Sequence, residues 1–193
     1  MHHTKIMSLL DSYLTGPNCT AVEIPMVKLM QTLAVESNNC FDTDFYLPGH
    51  FTGSAFIVHP SEDRVLLTLH AKLKKWVQLG GHADGNPDIF EVALREGLEE
   101  SGISQLGPLS TEIFDVDIHN IPDGPRRPAH KHFDIRFLFR ASSAEFNISS
   151  ESIDLDWIAL ENVGALCQSP SMDRMVQKLV RKLQKTTTVI STA

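Results

Sequence analysis

Residues 80–103 read GGHADGNPDIFEVALREGLEESGI, and they carry the most informative pattern in the chain. A glycine-rich turn leads into a segment in which apolar residues recur with helical periodicity. Asn86 is a favourable N-cap, Pro87 suits the first helical position, where no N–H is needed, and Gly102 supplies a C-terminal stop. The spacing therefore predicts a helix over 87–101 that follows directly on a glycine-rich loop.

Three glutamates converge on one face of this predicted helix. Glu96, Glu99 and Glu100 stand at positions i, i+3 and i+4, while apolar residues from Phe90 to Leu98 follow a different face. One interpretation is a site for Mg²⁺ or Mn²⁺, because a cation relieves the repulsion among carboxylates and hard cations prefer oxygen ligands. The alternative is a solvated acidic face, which three glutamates alone would favour.

The residues around the glutamates decide between these interpretations. They resemble the Nudix box, G-x5-E-x7-R-E-U-x-E-E-x-G-U, in which U is a bulky aliphatic residue. The matching residues are Gly81, Arg95, Glu96, Glu99, Glu100, Gly102 and Ile103. The resemblance implies the α/β class and a Nudix-type α/β/α sandwich built on a mixed sheet.

The resemblance also implies roles for the box residues. Glu96, Glu99 and Glu100 match the metal-binding glutamates of the family, and the main-chain carbonyl of Gly81 would be a further ligand to Mg²⁺ or Mn²⁺. Arg95 matches the arginine that orients the catalytic helix, so the expected catalytic residues are Arg95, Glu99 and Glu100. Family members cleave a nucleoside diphosphate linked to another moiety through a metal-activated water. The expected substrate is a nucleotide sugar, ADP-ribose, a dinucleotide or a nucleoside triphosphate.

Two positions depart from the box. Pro87 replaces the first glutamate, which is the usual partner of the box arginine, and Gly97 replaces an aliphatic residue. Glu91 lies four residues before Arg95 and is available as a substitute partner along the helix. Since the positions of the metal ligands are intact, loss of catalysis does not follow from these departures, and an altered site geometry or substrate stays open.

The remaining sequence predicts a two-part organisation. Two amphipathic segments, 6–14 and 25–34, indicate an N-terminal helical extension over 1–43, and the texture then changes to short β-like runs in a Nudix domain over 44–193. Within that domain, the patterns predict a hairpin of strands over 54–58 and 64–70, further strands over 111–117, 133–139 and 153–158, and a final helix over 171–184.

Polar residues outside the box are candidates for substrate binding. His130, His132 and Asp134 alternate with apolar residues, as on a strand with one wet face, and either bind phosphate or sugar oxygens or face solvent. His82 directly follows the glycine pair beside the predicted metal site. Glu151 precedes Trp157 in a region where Nudix enzymes often place an extra loop carboxylate.

A second alternation lies just upstream of these candidates. Asp115, Asp117 and His119 also occupy every other position, but they lead into the turn-forming segment 120–125. Asn, Pro, Asp and Gly are ordinary turn residues. We therefore interpret these three as loop material.

Composition limits the partners. The chain has 193 residues, with 17 Lys+Arg against 24 Asp+Glu and a formal net charge of −7, whereas a nucleic-acid binder usually needs the opposite balance. A small anionic substrate is compatible, because bound Mg²⁺ inverts the local electrostatics. The three separated cysteines predict reduced thiols, and without a membrane-spanning run or signal peptide we expect a cytoplasmic protein. A homodimer is the commonest assembly of such chains.

Two other functions remain open at this stage. One is a nucleotide-sensing or regulatory Nudix module, which the intact glutamates argue against. The other is an enzyme resembling isopentenyl diphosphate isomerase, which uses a cysteine, whereas Cys19, Cys40 and Cys167 all lie away from the glycine loop.

Overall fold

The computed structural model describes residues 2–125, 127–150 and 152–191. Five helices and eight strands follow in the order α1 (His2–Thr15), α2 (Ile24–Glu36), β1 (Gly49–Val58), β2 (Arg64–His70), β3 (Trp76–Val77), β4 (Leu79–His82), α3 (Ile89–Ser101), β5 (Leu106–Pro108), β6 (Asp115–Ile121), β7 (His130–Ala141), β8 (Ser152–Ala159), α4 (Leu160–Cys167) and α5 (Pro170–Ser191). None of the described helices is long and apolar enough to cross a membrane.

The eight strands form one mixed sheet. β1 and β7 pair in parallel over ten residues, whereas β1 pairs antiparallel with β2 and β4, and β7 pairs antiparallel with β5 and β6. β3 and β8 extend the sheet by antiparallel pairing with β2. The predicted α/β class with a mixed sheet is therefore confirmed, as is the predicted hairpin of β1 and β2.

One face of the sheet is covered by α3 together with the two N-terminal helices. Phe51 and Ile57 of β1 share a core with residues of all three helices. Gly53 of β1 allows the closest approach, because a Cβ there would lie 2.9 Å from the carbonyl oxygen of Ile89 and 3.0 Å from the amide nitrogen of Ala93. Helix α3 thus packs directly on the backbone of the central strand.

The opposite face is covered at one end by α4 and α5. Phe56 and Val58 of β1 pack there with Val163 of α4 and with Met175 and Leu179 of α5. Because alternate residues of a strand point to opposite faces, the even-numbered residues of β1 and β7 lie on this side. Helices on both faces give the predicted α/β/α sandwich, and the expected N-terminal helices are present.

The start of α3 corrects the prediction. The N-cap is Asp88, whose side chain accepts a hydrogen bond from the amide of Glu91 at 3.4 Å, so the helix begins at Ile89 rather than at Pro87. The side chain of Asn86 instead accepts from the amide of Asp88 at 2.9 Å and closes the preceding turn. The predicted stop is confirmed, because Gly102 has the left-handed conformation.

Several β elements also differ from the predictions. The glycine-rich loop is in fact strand β4, where Gly80 and Gly81 pair with β1. β6 begins at Asp115 rather than at residue 111, and β7 begins three residues earlier than predicted. Glycine is disfavoured in strands when propensity alone is considered, so only the pairing partner reveals β4.

Candidate metal and substrate site

The three box glutamates of α3 differ in exposure and in their contact with strand β4. Glu100 is buried, and its Oε2 accepts a hydrogen bond from the amide of Gly80 at 3.1 Å. The Glu96 side chain is 14% exposed, whereas that of Glu99 is 63% exposed. The group therefore runs from an anchored carboxylate to one that is open to solvent.

Gly81 leaves the space that the Glu96 carboxylate occupies. A Cβ at this position would lie 2.5 Å from the Cδ of Glu96, so no larger residue fits without moving that side chain. Three carboxylates beside a bare stretch of backbone form an oxygen-only donor set, which suits Mg²⁺ or Mn²⁺ better than softer ions. The residues present thus fit the hard divalent cation that the sequence predicts.

Arg95 connects the glutamates to the end of β4. Its Nη1 lies 2.8 Å from Oε1 of Glu96 and 3.5 Å from Oε2 of Glu99, and its Nη2 donates to the carbonyl of His82 at 3.0 Å. Within the described part of the chain, Glu91 forms no ion pair with Arg95, so the suggested substitute for the missing box glutamate is wrong. The arginine uses the box glutamates and a main-chain carbonyl instead.

The second departure from the box has a packing reason. A Cβ at Gly97 would lie 2.8 Å from the Cβ of Ala55 and 2.9 Å from Cδ1 of Leu106. Glycine at this position lets α3 lie close to β1, and this close packing sets how near the glutamates come to β4.

Five imidazoles meet on the other face of the sheet, at the ends of four strands. They form what we call the histidine cluster: His50 of β1, His82 of β4, His119 of β6, and His130 and His132 of β7. Register explains the meeting, because His132 pairs with both His50 and His119, and residues opposite each other share a face. The ring centroids of His50 and His132 are 4.9 Å apart.

Sequence reasoning found His82, His130 and His132 but missed the other two members. His119 belongs to the alternation that was interpreted as loop material, and that interpretation is wrong because β6 runs from Asp115 through His119. His50 gave a weaker signal, the alternation His50, Thr52, Ser54 at the start of an apolar strand.

Three imidazoles of the cluster have lowered pKa values, which favours their neutral forms. Burial lowers the pKa of His132 to about 2, and repulsion from protonated His119 and His82 adds to this effect. Burial and the neighbouring His50 lower the pKa of His82 to about 4, and burial also lowers the pKa of His50. Neutral imidazoles keep one lone pair each for a ligand or a hydrogen-bond donor.

Asp134 lies beside the cluster but is fully engaged. Its Oδ1 accepts hydrogen bonds from Thr52 at 3.0 Å and Ser54 at 2.8 Å, and its Oδ2 accepts from Gln78 at 3.2 Å and from Nε of Arg136 at 2.8 Å. The carboxylate is only 1% exposed and holds β1 and β7 together. Glu151, the other acidic residue suggested for substrate binding, lies outside the described residues.

One cation at the rim was not anticipated from the sequence. The exposed Arg127 places its Nη1 3.2 Å from Nε2 of His82. Because the guanidinium only donates, the His82 ring accepts at this nitrogen. Arg127 thus brings a positive charge to the open side of the histidine cluster, where an anionic group can approach.

Comparisons with known proteins agree with this architecture. A family model described as the NUDIX domain matches residues 50–179. The fold is similar to that of an Ap4A hydrolase from C. elegans solved as a binary complex, with 18% identity, a TM-score of 0.52, and coverage of 70% of this chain and 98% of that one. It is also similar to that of the E. coli dihydroneopterin triphosphate pyrophosphohydrolase, with 14% identity, a TM-score of 0.51, and coverage of 68% and 95%.

A third solved structure has a higher sequence identity. A hydrolase of the NUDIX family from Clostridium perfringens is 29% identical, with a TM-score of 0.47 and coverage of 67% of this chain and 95% of that one. No curated protein matches the chain. Because the family model spans more than half of the sequence, the chain belongs to the Nudix family, and it is an enzyme of the Nudix pyrophosphohydrolase type.

Proposed function

We propose that this Nudix enzyme is a Mg²⁺- or Mn²⁺-dependent hydrolase that cleaves the pyrophosphate linkage of a small nucleoside diphosphate derivative. The substrate is a nucleotide sugar, ADP-ribose, a dinucleotide or a nucleoside triphosphate. The observation that carries the proposal is the position of the α3 carboxylates: Glu96 and Glu100 lie against the paired glycines of β4, and Glu99 extends from the same helix into solvent.

The proposed ligands are the three box carboxylates and one main-chain oxygen. Glu96, Glu99 and Glu100 would hold the cation together with the main-chain carbonyl of Gly81. When bound, the cation supplies activation of water and neutralisation of charge on the phosphate groups. Glu99, as the most exposed of the three carboxylates, is the group that can accept a proton from the attacking water.

The remaining box residue positions the others. Arg95 contacts Glu96, Glu99 and the carbonyl of His82, so it fixes two carboxylates relative to the end of β4. Its role is therefore to orient the ligands and to offset their charge, in agreement with the role implied for the box arginine. Loss of this contact would let the carboxylates move apart.

The substrate approaches from the end of the sheet that carries the histidines. His82 and the rim residue Arg127 offer hydrogen bonds and positive charge to phosphate oxygens there. His130 and His132 lie deeper on the same face, and Asp134 supports them by holding β1 against β7. Glu151 remains a predicted contact.

The direct test uses two variants of one helix. Glu99→Gln removes a proposed ligand, whereas Glu91→Gln makes the same chemical change at an exposed position of α3 that is not a proposed ligand. Wild type and both variants are incubated with ADP-ribose, nucleotide sugars, dinucleotides and nucleoside triphosphates in Mg²⁺ or Mn²⁺, and the products are resolved by chromatography.

The two variants should differ in activity. Glu99→Gln should lower kcat/KM by about 100-fold or more, because several kcal/mol of transition-state stabilisation depend on the metal, and Glu91→Gln should stay within about twofold of wild type. Equal loss in both variants would contradict the ligand assignment. Tight binding of a nucleotide without cleavage by the wild type would instead favour a sensing module.

A further inference from the structure

We propose that His50, His130 and His132 form a second metal site, which binds a transition-metal ion such as Zn²⁺ through their Nε2 atoms and is separate from the carboxylate site on α3. Potential ligand atoms of these three residues all lie within 4.8 Å of one another. This inference does not depend on the proposed hydrolysis.

The spacing of the nitrogens fits a metal. The Nε2 atoms of His130 and His132 are 3.3 Å apart. In a tetrahedral site with Zn–N bonds of about 2.0–2.1 Å, two ligand nitrogens are separated by about 3.3 Å. The pair therefore already has the separation that a shared zinc ion requires.

Main-chain carbonyls set the tautomers of two of the rings. Nδ1 of His50 lies 3.0 Å from the carbonyl of Phe45, and Nδ1 of His130 lies 2.7 Å from the carbonyl of Pro128. A carbonyl only accepts, so each Nδ1 carries the proton and each Nε2 presents a lone pair to the cluster. Metal-binding histidines are oriented by the same kind of outer hydrogen bond.

His50 supplies an independent observation. Its side chain is fully buried, and its Nε2 has no hydrogen-bond partner within the described part of the chain. A buried acceptor left without a partner is costly, and such cases are rare in native structures. His132 can satisfy His130 by donating from Nε2, but that arrangement leaves Nε2 of His50 without a donor. A metal ion shared by the three rings would satisfy all three Nε2 atoms, with the proton of His132 then carried on Nδ1.

The two metal sites differ in chemistry and in position. Adjacent residues of β4 point to opposite faces, so Gly81 lies against Glu96 while His82 joins the histidine cluster. Three imidazoles favour zinc and its neighbours, whereas carboxylates favour Mg²⁺ or Mn²⁺. Three protein ligands also leave one position of a tetrahedral ion open, as in catalytic zinc sites.

Cobalt(II) is a suitable spectroscopic probe for this site. Chelator-treated protein is titrated with Co²⁺ in excess Mg²⁺, which occupies the carboxylates, and the visible absorption of the ion is recorded. We expect a saturable signal at one equivalent that one equivalent of Zn²⁺ removes. Absence of saturable binding by the wild type would overturn the proposal without recourse to any variant.

Variants then locate the ion. His132→Asn and His130→Gln should each weaken Co²⁺ binding by about 100-fold or more, while Lys131→Gln, an exposed neighbour on the same strand, should leave it within about twofold. Glu99→Gln should also leave it unchanged. Near-ultraviolet circular dichroism identifies any variant that fails to fold, and the other histidine variant then carries the test. Unchanged binding in a folded histidine variant, or loss in Glu99→Gln, would overturn the proposal.

Discussion

The two ends of strand β7 differ in whether the polar side chains on one face have hydrogen-bond partners. At the start of β7, His130 and His132 belong to a cluster in which a buried imidazole nitrogen of His50 has no partner in the described chain. Four residues further along the same face, Arg136 is 3% exposed and donates to the carboxylates of Asp115, Asp117 and Asp134. Buried polar groups that are satisfied hold the fold, whereas those left incomplete indicate a place for a ligand.

The buried hydrogen bonds around Arg136 continue from the sheet into helices near both termini of the chain. Lys178 of α5 lies 2.7 Å from Glu23, 2.6 Å from Asp115 and 2.8 Å from the hydroxyl of Tyr13. Glu23 also accepts from the amide of Val116 at 3.3 Å. We call this group the ion network; it connects α1, the start of α2, β6 and α5 through side chains that are almost completely buried.

The largest expected effect concerns this network. Lys178→Met should lower the free energy of unfolding by about 3–5 kcal/mol, because it leaves the buried carboxylates of Glu23 and Asp115 without their shared ammonium group. Urea denaturation measures the change. Lys185→Met, an exposed lysine on the same helix, is the control and should change stability by less than about 0.5 kcal/mol. Equal effects of the two variants would show that the ion network does not stabilise the fold more than an exposed lysine does.

Acid should lower the stability that the ion network provides. Burial raises the pKa of Glu23, but hydrogen bonds from Lys178, Thr20 and Tyr13 outweigh burial and lower the pKa from 4.5 to about 2. A lowered pKa means that this contribution is present above about pH 4.5 and is lost as pH falls towards 2. The contribution is roughly 3 kcal/mol. Urea denaturation between pH 2 and 6 should show the loss, and Glu23→Gln should flatten the profile; an unchanged profile would refute the assignment.

A smaller effect is expected at the opposite face of the sheet. Gly97→Ala should cost about 1–3 kcal/mol of stability, because the added methyl group would lie within 3 Å of side-chain carbons of Ala55 and Leu106. The added methyl group should push α3 away from β1, and the glutamates of α3 would then move away from β4. The substitution should therefore also lower the hydrolytic rate. Glu91→Ala, at an exposed position of the same helix, controls for changes in helix propensity. A rate unchanged by Gly97→Ala would show that the glutamates tolerate this shift.

The smallest effect on stability is expected in the histidine cluster when no metal is present. His132→Asn should change the stability of chelator-treated protein by less than about 1 kcal/mol, because this ring takes part in no ion pair among the described residues. With Zn²⁺ at 100 times its dissociation constant, the wild type should gain about 2.7 kcal/mol that the variant lacks. Thermal unfolding with and without Zn²⁺ compares them. A loss in metal-free protein as large as that of Lys178→Met would make the cluster structural.

The predictable part of the structure is the part encoded by local spacing. Glu96, Glu99 and Glu100 follow helical periodicity within five residues, so their convergence could be predicted without knowing the fold. The stop at Gly102 is equally local. The start of α3 was wrong because Asn86 and Asp88 are both good caps, and the choice between them depends on the preceding turn.

The remainder depends on pairing between distant segments. His50 and His132 are 82 positions apart and meet only because β1 and β7 pair in parallel with that register. The strand character of Gly80 and Gly81 likewise comes from β1 and not from their own propensity. The substitute partner suggested for Arg95 failed for a related reason, since the carbonyl of His82 belongs to β4 and not to the helix.

The proposed function requires that the carboxylates of α3 hold the catalytic cation. Anomalous diffraction at the manganese edge, from crystals of the protein grown with Mn²⁺, would locate the ion. We predict a peak within bonding distance of carboxylate oxygens of Glu96, Glu99 and Glu100 and of the carbonyl of Gly81. A peak confined to the histidine cluster, with none beside α3, would contradict the claim.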